Sequence, residues 1–240
     1  TTLRRAGRGS PMLKFFFSAA PNPMKVALFL EEALLAYEPI PVDGKRGDQH
    51  TAAFRAVNPN GKVPAILDDG HAVFDSNAIL LYLAEKTGQF LPPERPGARG
   101  ELLSWLMFVA SGLGPFSGQA VHFRKFASET VPYAIKRYDF EARRHWQIID
   151  DRLAERPYML GEHYTIVDMA VWGWGDRLTY MLADDDIMQK YPNLDRLMRE
   201  IEARPAAIRA RDLPRRHDFS TVMDEAAMRF MYPHQFAEDP

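Results

Sequence analysis

The chain has 240 residues, of which 46% are hydrophobic and 26% are charged, proportions that are ordinary for a globular protein. This length suffices for one large domain or two smaller ones, and the net charge of -2 gives no reason to expect a nucleic-acid surface. Cysteine is absent, so disulfides, thiolate metal sites and a cysteine nucleophile are excluded.

No apolar run is long enough to span a membrane and none has the form of a signal peptide, so the expected location is cytoplasmic. We expect neither a membrane nor a nucleic acid as a partner. Residues 1–11 are basic and lack hydrophobic periodicity, which predicts a flexible leader.

Strand and helix signals alternate through residues 12–88. The predicted elements are a strand at 13–17, a helix that begins near Pro23, a strand at 37–42, a polar loop with one helical turn at 44–57, a hairpin of strands at 63–67 and 71–74, and a helix that begins at 75–77. This order is typical of a small α/β domain of the thioredoxin type. We therefore predict an α/β thioredoxin-like domain at residues 12–88.

Beyond residue 88, helical periodicity replaces the strand signals. We predict a proline-rich linker at 89–98, an all-α domain at 99–208 and a C-terminal tail at 209–240. Gly112-Leu113-Gly114-Pro115 is expected to end the first helix of that domain. Thr165 and Asp168 form a capping box, which predicts the start of a later helix.

The hairpin and the helix after it carry features that suit a small charged peptide. Extended backbone at Val63-Pro64 presents an N–H and a carbonyl with which a peptide pairs as an added strand, particularly if the proline is cis. Asp75-Ser76 lies at a helix start, where backbone N–H groups and the helix dipole favour a carboxylate. Ser76 is expected to cap this helix.

These motifs, in this order, resemble those of the cytosolic glutathione transferases over residues 13–209. The shared motifs are Asn58-Pro59, Lys62-Val63-Pro64, Asp75-Ser76-Asn77-Ala78-Ile79, Thr165-Ile166-Val167-Asp168 and Tyr191-Pro192-Asn193-Leu194. Phe29-Leu30-Glu31-Glu32 and the segments at 112–119 and 132–138 are similar to the nu-class and Ure2-like branch, which includes bacterial glutathione-dependent disulfide reductases.

The resemblance implies glutathione as a cosubstrate, no metal, and a homodimer. The backbone of Val63 would pair with the cysteinyl part of glutathione, as in strand addition. Ser76 would take the γ-glutamyl carboxylate, and Asp75 would face the γ-glutamyl amine. Lys62 and Gln49 lie where the family binds the glycyl end.

The same resemblance implies catalytic roles near the start of the first helix. Asn22 would donate its side-chain amide to the sulfur and favour the thiolate. Where the branch has Thr-Pro-Asn, this chain has Ala20-Pro21-Asn22, so the threonine hydroxyl is missing and Ser18 is a candidate substitute. Arg137 would face a second glutathione or a glutathionyl substrate, although its spacing from Glu141 also predicts an ordinary ion pair within a helix.

The resulting hypothesis is a transferase that reduces small disulfides or hydroperoxides through a bound glutathione thiolate. Ala20 and the aromatic-rich tail leave a second enzyme open, a glutathione lyase that cleaves thioethers of aromatic conjugates. Ala20 also favours a non-catalytic glutathione-binding protein of the Ure2 type. Helical side chains that would line an electrophile pocket, or simply belong to the core, are Trp105, Met107, Phe116, His122, Trp174 and Tyr180.

Overall fold

A mixed sheet forms the amino-terminal part of the protein. The computed structural model describes residues 13–237, so the leader predicted at residues 1–11 lies outside them. The strands are β1 (Leu13–Phe17), β2 (Tyr37–Pro41), β3 (Ala65–Asp68) and β4 (His71–Phe74), in the spatial order β2-β1-β3-β4. β1 is parallel to β2 and antiparallel to β3, and β3 is antiparallel to β4. This topology confirms the predicted thioredoxin-like fold class.

Helices cover both faces of the sheet. Phe15 and the buried residues of α1 (Pro21–Glu32) and α3 (Ser76–Thr87) belong to one large core. Phe16 packs instead with α2 (Ala52–Val57) in a smaller core on the other face. The two phenylalanines separate because successive side chains of a strand point to opposite faces.

The remainder of the described chain is helical, which confirms the predicted all-α character of the second domain. Its α-helices are α4 (Ala98–Phe108), α5 (Gly114–Lys125), α6 (Pro132–Leu153), α7 (Ile166–Gly175), α8 (Leu178–Leu182), α9 (Ile187–Lys190), α10 (Pro192–Glu202), α11 (Pro205–Asp212) and α12 (Glu225–Met231). The predicted capping box of Thr165 and Asp168 begins α7. None of the helices in residues 13–237 is both long and apolar enough to cross a membrane.

The predicted helix end at residues 112–115 is wrong. The chain passes from α4 through a π-helical turn (Val109–Leu113) directly into α5. Gly112 is needed for close packing, because a Cβ there would lie 2.6 Å from Nε2 of His145 on α6. Pro115 lacks an N–H and crowds the preceding turn, and the wider π-helical turn before it accommodates both effects.

The sheet and the helical part share one core, which passes between α1 and α7. Gly173 on α7 packs directly on α1, since a Cβ there would lie 2.5 Å from the side chain of Lys25 and 2.7 Å from the carbonyl of Pro21. Ion pairs of Arg204 with Glu32 and of Arg209 with Glu31 hold the far end of α1. The start of α1 is therefore fixed against the helical part, and this places Asn22 beside α7.

Candidate functional site

A cavity of about 340 Å³ opens at the carboxyl ends of β1 and β2. Four residues predicted for the site line it, namely Ser18, Gln49, Lys62 and Val63. Phe230 and Met231 of α12 line it from the other side. The Val63–Pro64 peptide bond, at the edge of this cavity, is cis. The structure thus brings the predicted strand-pairing residue together with the residues predicted for a glycyl carboxylate.

The side chain of Asn22 is held by hydrogen bonds at its oxygen. Nε1 of Trp174 donates to Oδ1 of Asn22 at 2.9 Å, and Oγ of Ser76 donates to the same oxygen at 3.4 Å. An indole nitrogen can only donate, so these contacts determine which end of the amide is oxygen. The NH₂ group of Asn22, which has no hydrogen-bond partner among residues 13–237, remains available as a donor.

Lys25 joins the same network from inside the protein. Its side chain is 1% exposed, and Nζ donates to Oγ of Ser76 at 3.3 Å and to Oδ1 of Asn77 at 3.5 Å. Burial lowers the pKa of Lys25 to about 7, because it withdraws the ammonium from water, while the negative charge of Asp75 acts in the opposite direction. The Lys25, Ser76 and Asn22 side chains thus form a chain of hydrogen bonds from the core to the start of α1.

The start of α3 is capped by Asp75, so the expectation that Ser76 is the cap is wrong. Oδ1 of Asp75 accepts from the backbone N–H of Asn77 at 2.9 Å and of Ala78 at 3.1 Å. Ser76 is the first helical residue, and its hydroxyl is directed to Lys25 and Asn22. Asp75 has a φ of 71°, which an L residue rarely adopts and which costs on the order of 1–3 kcal/mol. Such strained residues cluster at functional sites.

The other end of the cavity carries donors that the protein itself engages. Nε2 of Gln49 donates to the carbonyl of Phe230 at 3.0 Å, and Nε2 of His50 contacts the same carbonyl at 2.7 Å. Since a carbonyl only accepts, Nε2 of His50 is the protonated ring nitrogen, and Nδ1 accepts from Arg55 at 3.2 Å. The backbone of α12 therefore occupies one donor of Gln49 and one of His50 at this end of the cavity.

Ser18 stabilises the turn before α1. Its Oγ accepts from the backbone N–H of Ala20 at 3.3 Å, and its side chain lines the cavity. The hydroxyl proton of Ser18 is not used in that contact. Ser18 and Ala20 both line the cavity, and the role of Ser18 as a substitute for the missing threonine hydroxyl remains a prediction.

Arg137 lies on α6 and does not line this cavity. It pairs with Glu141 at 2.8 Å, as its spacing predicted, and among the contacts of residues 13–237 none joins it to the cavity or to the Asn22 network. Its predicted contact with a second glutathione remains a prediction. Among the described residues, no group of side chains is suited to hold a metal ion.

Sequence reasoning missed three contributors to the site, namely Lys25, His50 and Phe230. The signal for Lys25 was present, because it is a lysine in the middle of an otherwise apolar helix, PNPMKVALFL. A cation in such a position is either paired or shifted in pKa. The contact of Phe230 has no comparable signal, since 180 residues separate it from His50 in the sequence.

Comparisons with known proteins agree on one family. Residues 10–85 match the glutathione S-transferase N-terminal domain, and residues 133–200 match the glutathione S-transferase C-terminal domain. The disulfide-bond oxidoreductase YfcG of Escherichia coli is 42% identical over 202 residues, which cover 81% of this chain and 92% of that protein.

Solved structures give the same result. A glutathione transferase from Burkholderia graminis, with two glutathione molecules bound per subunit, has a TM-score of 0.78 and 37% identity, covering 86% of this chain and 90% of its own. One from Pseudomonas putida, with one glutathione disulfide bound per subunit, has a TM-score of 0.78 and 34% identity, covering 85% of this chain and 92% of its own. This chain belongs to the glutathione S-transferase family.

Proposed function

We propose that this protein uses glutathione to reduce small disulfides. The observation that carries the proposal is the fixed amide of Asn22, whose oxygen accepts from Trp174 at 2.9 Å and from Ser76 at 3.4 Å. Because both hydrogen bonds are made by the amide oxygen, the NH₂ group of Asn22 presents its protons outward at the start of α1. A donor held in this way stabilises a thiolate without having to reorganise during the reaction.

The proposed reaction has two exchange steps. A glutathione thiolate attacks one sulfur of the substrate disulfide, forms a mixed disulfide and releases the first substrate thiolate. The thiolate of a second glutathione attacks the glutathione sulfur of the mixed disulfide and releases the second substrate thiolate. The products are glutathione disulfide and two substrate thiolates, which take the two thiol protons. No cysteine of the protein takes part, since the chain has none.

Glutathione itself would lie along the cavity in the orientation that the residues suggest. The backbone of Val63 pairs with the cysteinyl part, and the start of α3 at Ser76 receives the γ-glutamyl carboxylate next to Asp75. Lys62 is exposed at the rim and supplies a cation for the glycyl carboxylate. Gln49 adds its amide once the carbonyl of Phe230 has moved away.

The structures with bound ligands support the two-step scheme. The protein from Burkholderia graminis holds two glutathione molecules per subunit, the number that the two steps consume. The protein from Pseudomonas putida holds one glutathione disulfide, which is the oxidised product of such a reaction. The name of the relative from Escherichia coli, a disulfide-bond oxidoreductase, describes the same chemistry.

The dimer and the cytoplasmic location belong to the proposal as well. The dimer rests on the resemblance to the family, and Phe74 on the edge strand β4 (43% exposed) and Met107 on α4 (46% exposed) are apolar side chains that a partner subunit would cover. Light scattering after gel filtration should give twice the mass of one chain.

Reduction by glutathione needs a reducing thiol pool, which the cytosol maintains. Fractionation of cells should therefore recover the protein with the cytosolic enzymes.

Turnover of hydroxyethyl disulfide, coupled to the reduction of glutathione disulfide, tests the proposed reaction. Wild-type protein should bind to immobilised glutathione and turn the disulfide over. Asn22→Ala should still bind but lose roughly 10- to 100-fold in kcat, the factor that one hydrogen bond to a charged group supplies. Gln147, exposed on α6 and paired with Asp151, provides the control variant Gln147→Ala, which should keep the wild-type rate.

The thioether-cleaving lyase stays open, and a non-catalytic binding protein is a second alternative, which Ala20 also favours. Retention on glutathione without turnover, equal in wild type and Asn22→Ala, would establish that alternative. Loss of retention in Ser76→Ala, with Ser104→Ala as an exposed serine control on α4, would locate the binding site at the start of α3 under either function.

A further inference from the structure

A second cavity lies behind the turn that precedes α1. It has a volume of about 330 Å³, and its wall includes Ala19 and Met24, residues of α7 and its carboxyl end, and the carboxyl end of α11 with the turn after it. Ser18 and Ala20 line the glutathione cavity described above, whereas Ala19 lines this one. The turn from Ser18 to Ala20 thus forms a wall between the two cavities.

The wall of the second cavity carries more positive than negative charge, although Asp176 pairs with both Arg177 and Arg211. Arg177, Arg211 and Arg215 line it, and Asp176 is the one carboxylate among the residues that do so. This excess does not follow from composition, because the whole chain has 30 lysines and arginines against 32 acidic residues. Glu202, outside the wall, pairs with Arg211 at 2.6 Å and still leaves positive charge in excess.

Two of the arginines are held in place by the protein. Arg211 donates to Asp176 at 2.5 Å, and its guanidinium lies 5.2 Å from the ring of Trp172. Arg177 donates to the carbonyl of Ala19 at 3.1 Å. These contacts fix the guanidinium groups before any ligand arrives, so that a ligand does not have to order them.

Arg215 is different, because it has neither an ion pair nor a side-chain hydrogen bond among the contacts of residues 13–237. It is exposed at the rim of the cavity, with five N–H donors that fit the oxygens of a phosphate group. The cavity therefore combines two fixed guanidinium groups with one that is available to close on an anion.

We propose that this cavity is a binding site for a small phosphate-bearing anion, separate from the glutathione cavity. A volume of about 330 Å³ corresponds to about ten water molecules, because each water takes about 30 Å³ in the liquid. The cavity is therefore larger than a phosphate group. A phosphate monoester with a small organic group fits the remaining space. The apolar side chains of Met24 and Trp172 in the wall suit that organic part.

Arg177 connects this cavity to the turn before α1. Arg177 is shared between the cavity and the carbonyl of Ala19, and Ala19 lies three residues before Asn22. An anion bound by Arg177 would therefore lie one hydrogen bond away from the turn that leads to Asn22. The site stands on its own charges and contacts, so it does not depend on the proposed disulfide reductase activity.

Calorimetric titration of inorganic phosphate and of phenyl phosphate into the full chain tests the site. Each should give saturable heat beyond that of a chloride solution of equal ionic strength. Tighter binding of phenyl phosphate would indicate an ester as the ligand, and equal binding would indicate free phosphate. Arg215→Ala should weaken the binding at least about tenfold, the ratio that one charge-assisted hydrogen bond supplies.

Arg199, an exposed arginine on α10 that pairs with Asp195 at 2.8 Å, provides the control variant Arg199→Ala, which should bind as wild type does. Arg215→Gln serves as a second variant if Arg215→Ala fails to fold. Absence of saturable heat above the chloride reference, or equal affinity of wild type and the Arg215 variants, would overturn the site. Displacement of phosphate by saturating glutathione would show that the cavity is part of the glutathione site, and would overturn its separateness.

Discussion

The buried ammonium of Lys25 should make the stability of the protein depend on pH. Its pKa is about 7 in the folded protein and 10.5 for a lysine in water. Below pH 7 the side chain is protonated in both states, and folding carries the full cost of burying the charge. Above pH 10.5 it is neutral in both states and the cost vanishes. Because the unfolded chain binds more protons between these values, stability rises with pH across this window.

The magnitude follows from the size of the shift. One pKa unit corresponds to about 1.36 kcal/mol, so the difference between 10.5 and about 7 amounts to roughly 5 kcal/mol as an upper bound. Between pH 7 and pH 9 alone, the free energy of unfolding should rise by about 2 kcal/mol. With an m value of about 2 kcal/mol per molar urea, the urea midpoint should rise by about 1 M.

Urea unfolding of wild type and Lys25→Met at pH 7, 8 and 9 measures this effect. Methionine keeps much of the side-chain volume and removes the charge, so the variant should lack the rise in midpoint. No thiol titrates in this range, because the chain has no cysteine, and the α-amino group contributes equally to every variant.

Lys136, exposed on α6, provides the matched control: Lys136→Met should retain the wild-type rise. If the midpoints of wild type and Lys25→Met rise in parallel, the buried ammonium is not the source of the pH dependence and the assigned pKa is wrong.

Three further predictions concern the site and the helices that hold it. Trp174→Phe removes the donor to Asn22 and should lower kcat about 3- to 10-fold with little change in the retention of glutathione; an unchanged kcat would show that the amide holds its orientation without the indole. Asp168→Ala removes the acceptor for the backbone N–H groups of Met159 and Thr165, and should lower the free energy of unfolding by about 2–4 kcal/mol in urea titrations; a loss below about 1 kcal/mol would contradict this. Deletion of residues 220–240 removes the carbonyl that occupies Gln49, so calorimetry should show tighter glutathione binding, whereas weaker binding would mean that the segment forms part of the site.

The sequence by itself determined the local structure and the order of the elements. Asp69 and Gly70 both adopt positive φ, at 52° and 81°, in the turn of the predicted hairpin, as an Asp-Gly pair between two strands favours. Thr165 and Asp168 form the predicted capping box at the start of α7. These features depend on contacts between residues a few positions apart, so a short stretch of sequence is enough to predict them.

Tertiary structure decided which of the candidate residues contact one another. The indole of Trp174 reaches Asn22 across 152 positions of sequence, and the carbonyl of Phe230 reaches Gln49 across 181. Gly112 was expected to end a helix, but it instead allows α6 to approach closely. Its role depends on His145, which lies far from it in the sequence.

The same limit applies to the charges. The sequence shows a lysine within an apolar helix, but the packing of α7 and of the start of α3 against Lys25 removes water from it and lowers its pKa. Spacing along the helix predicted the partner of Arg137, whereas the cationic cavity of Arg177 and Arg215 forms where separate helices end together. Local patterns fix helices, turns and caps, while burial and electrostatics depend on which distant segments meet.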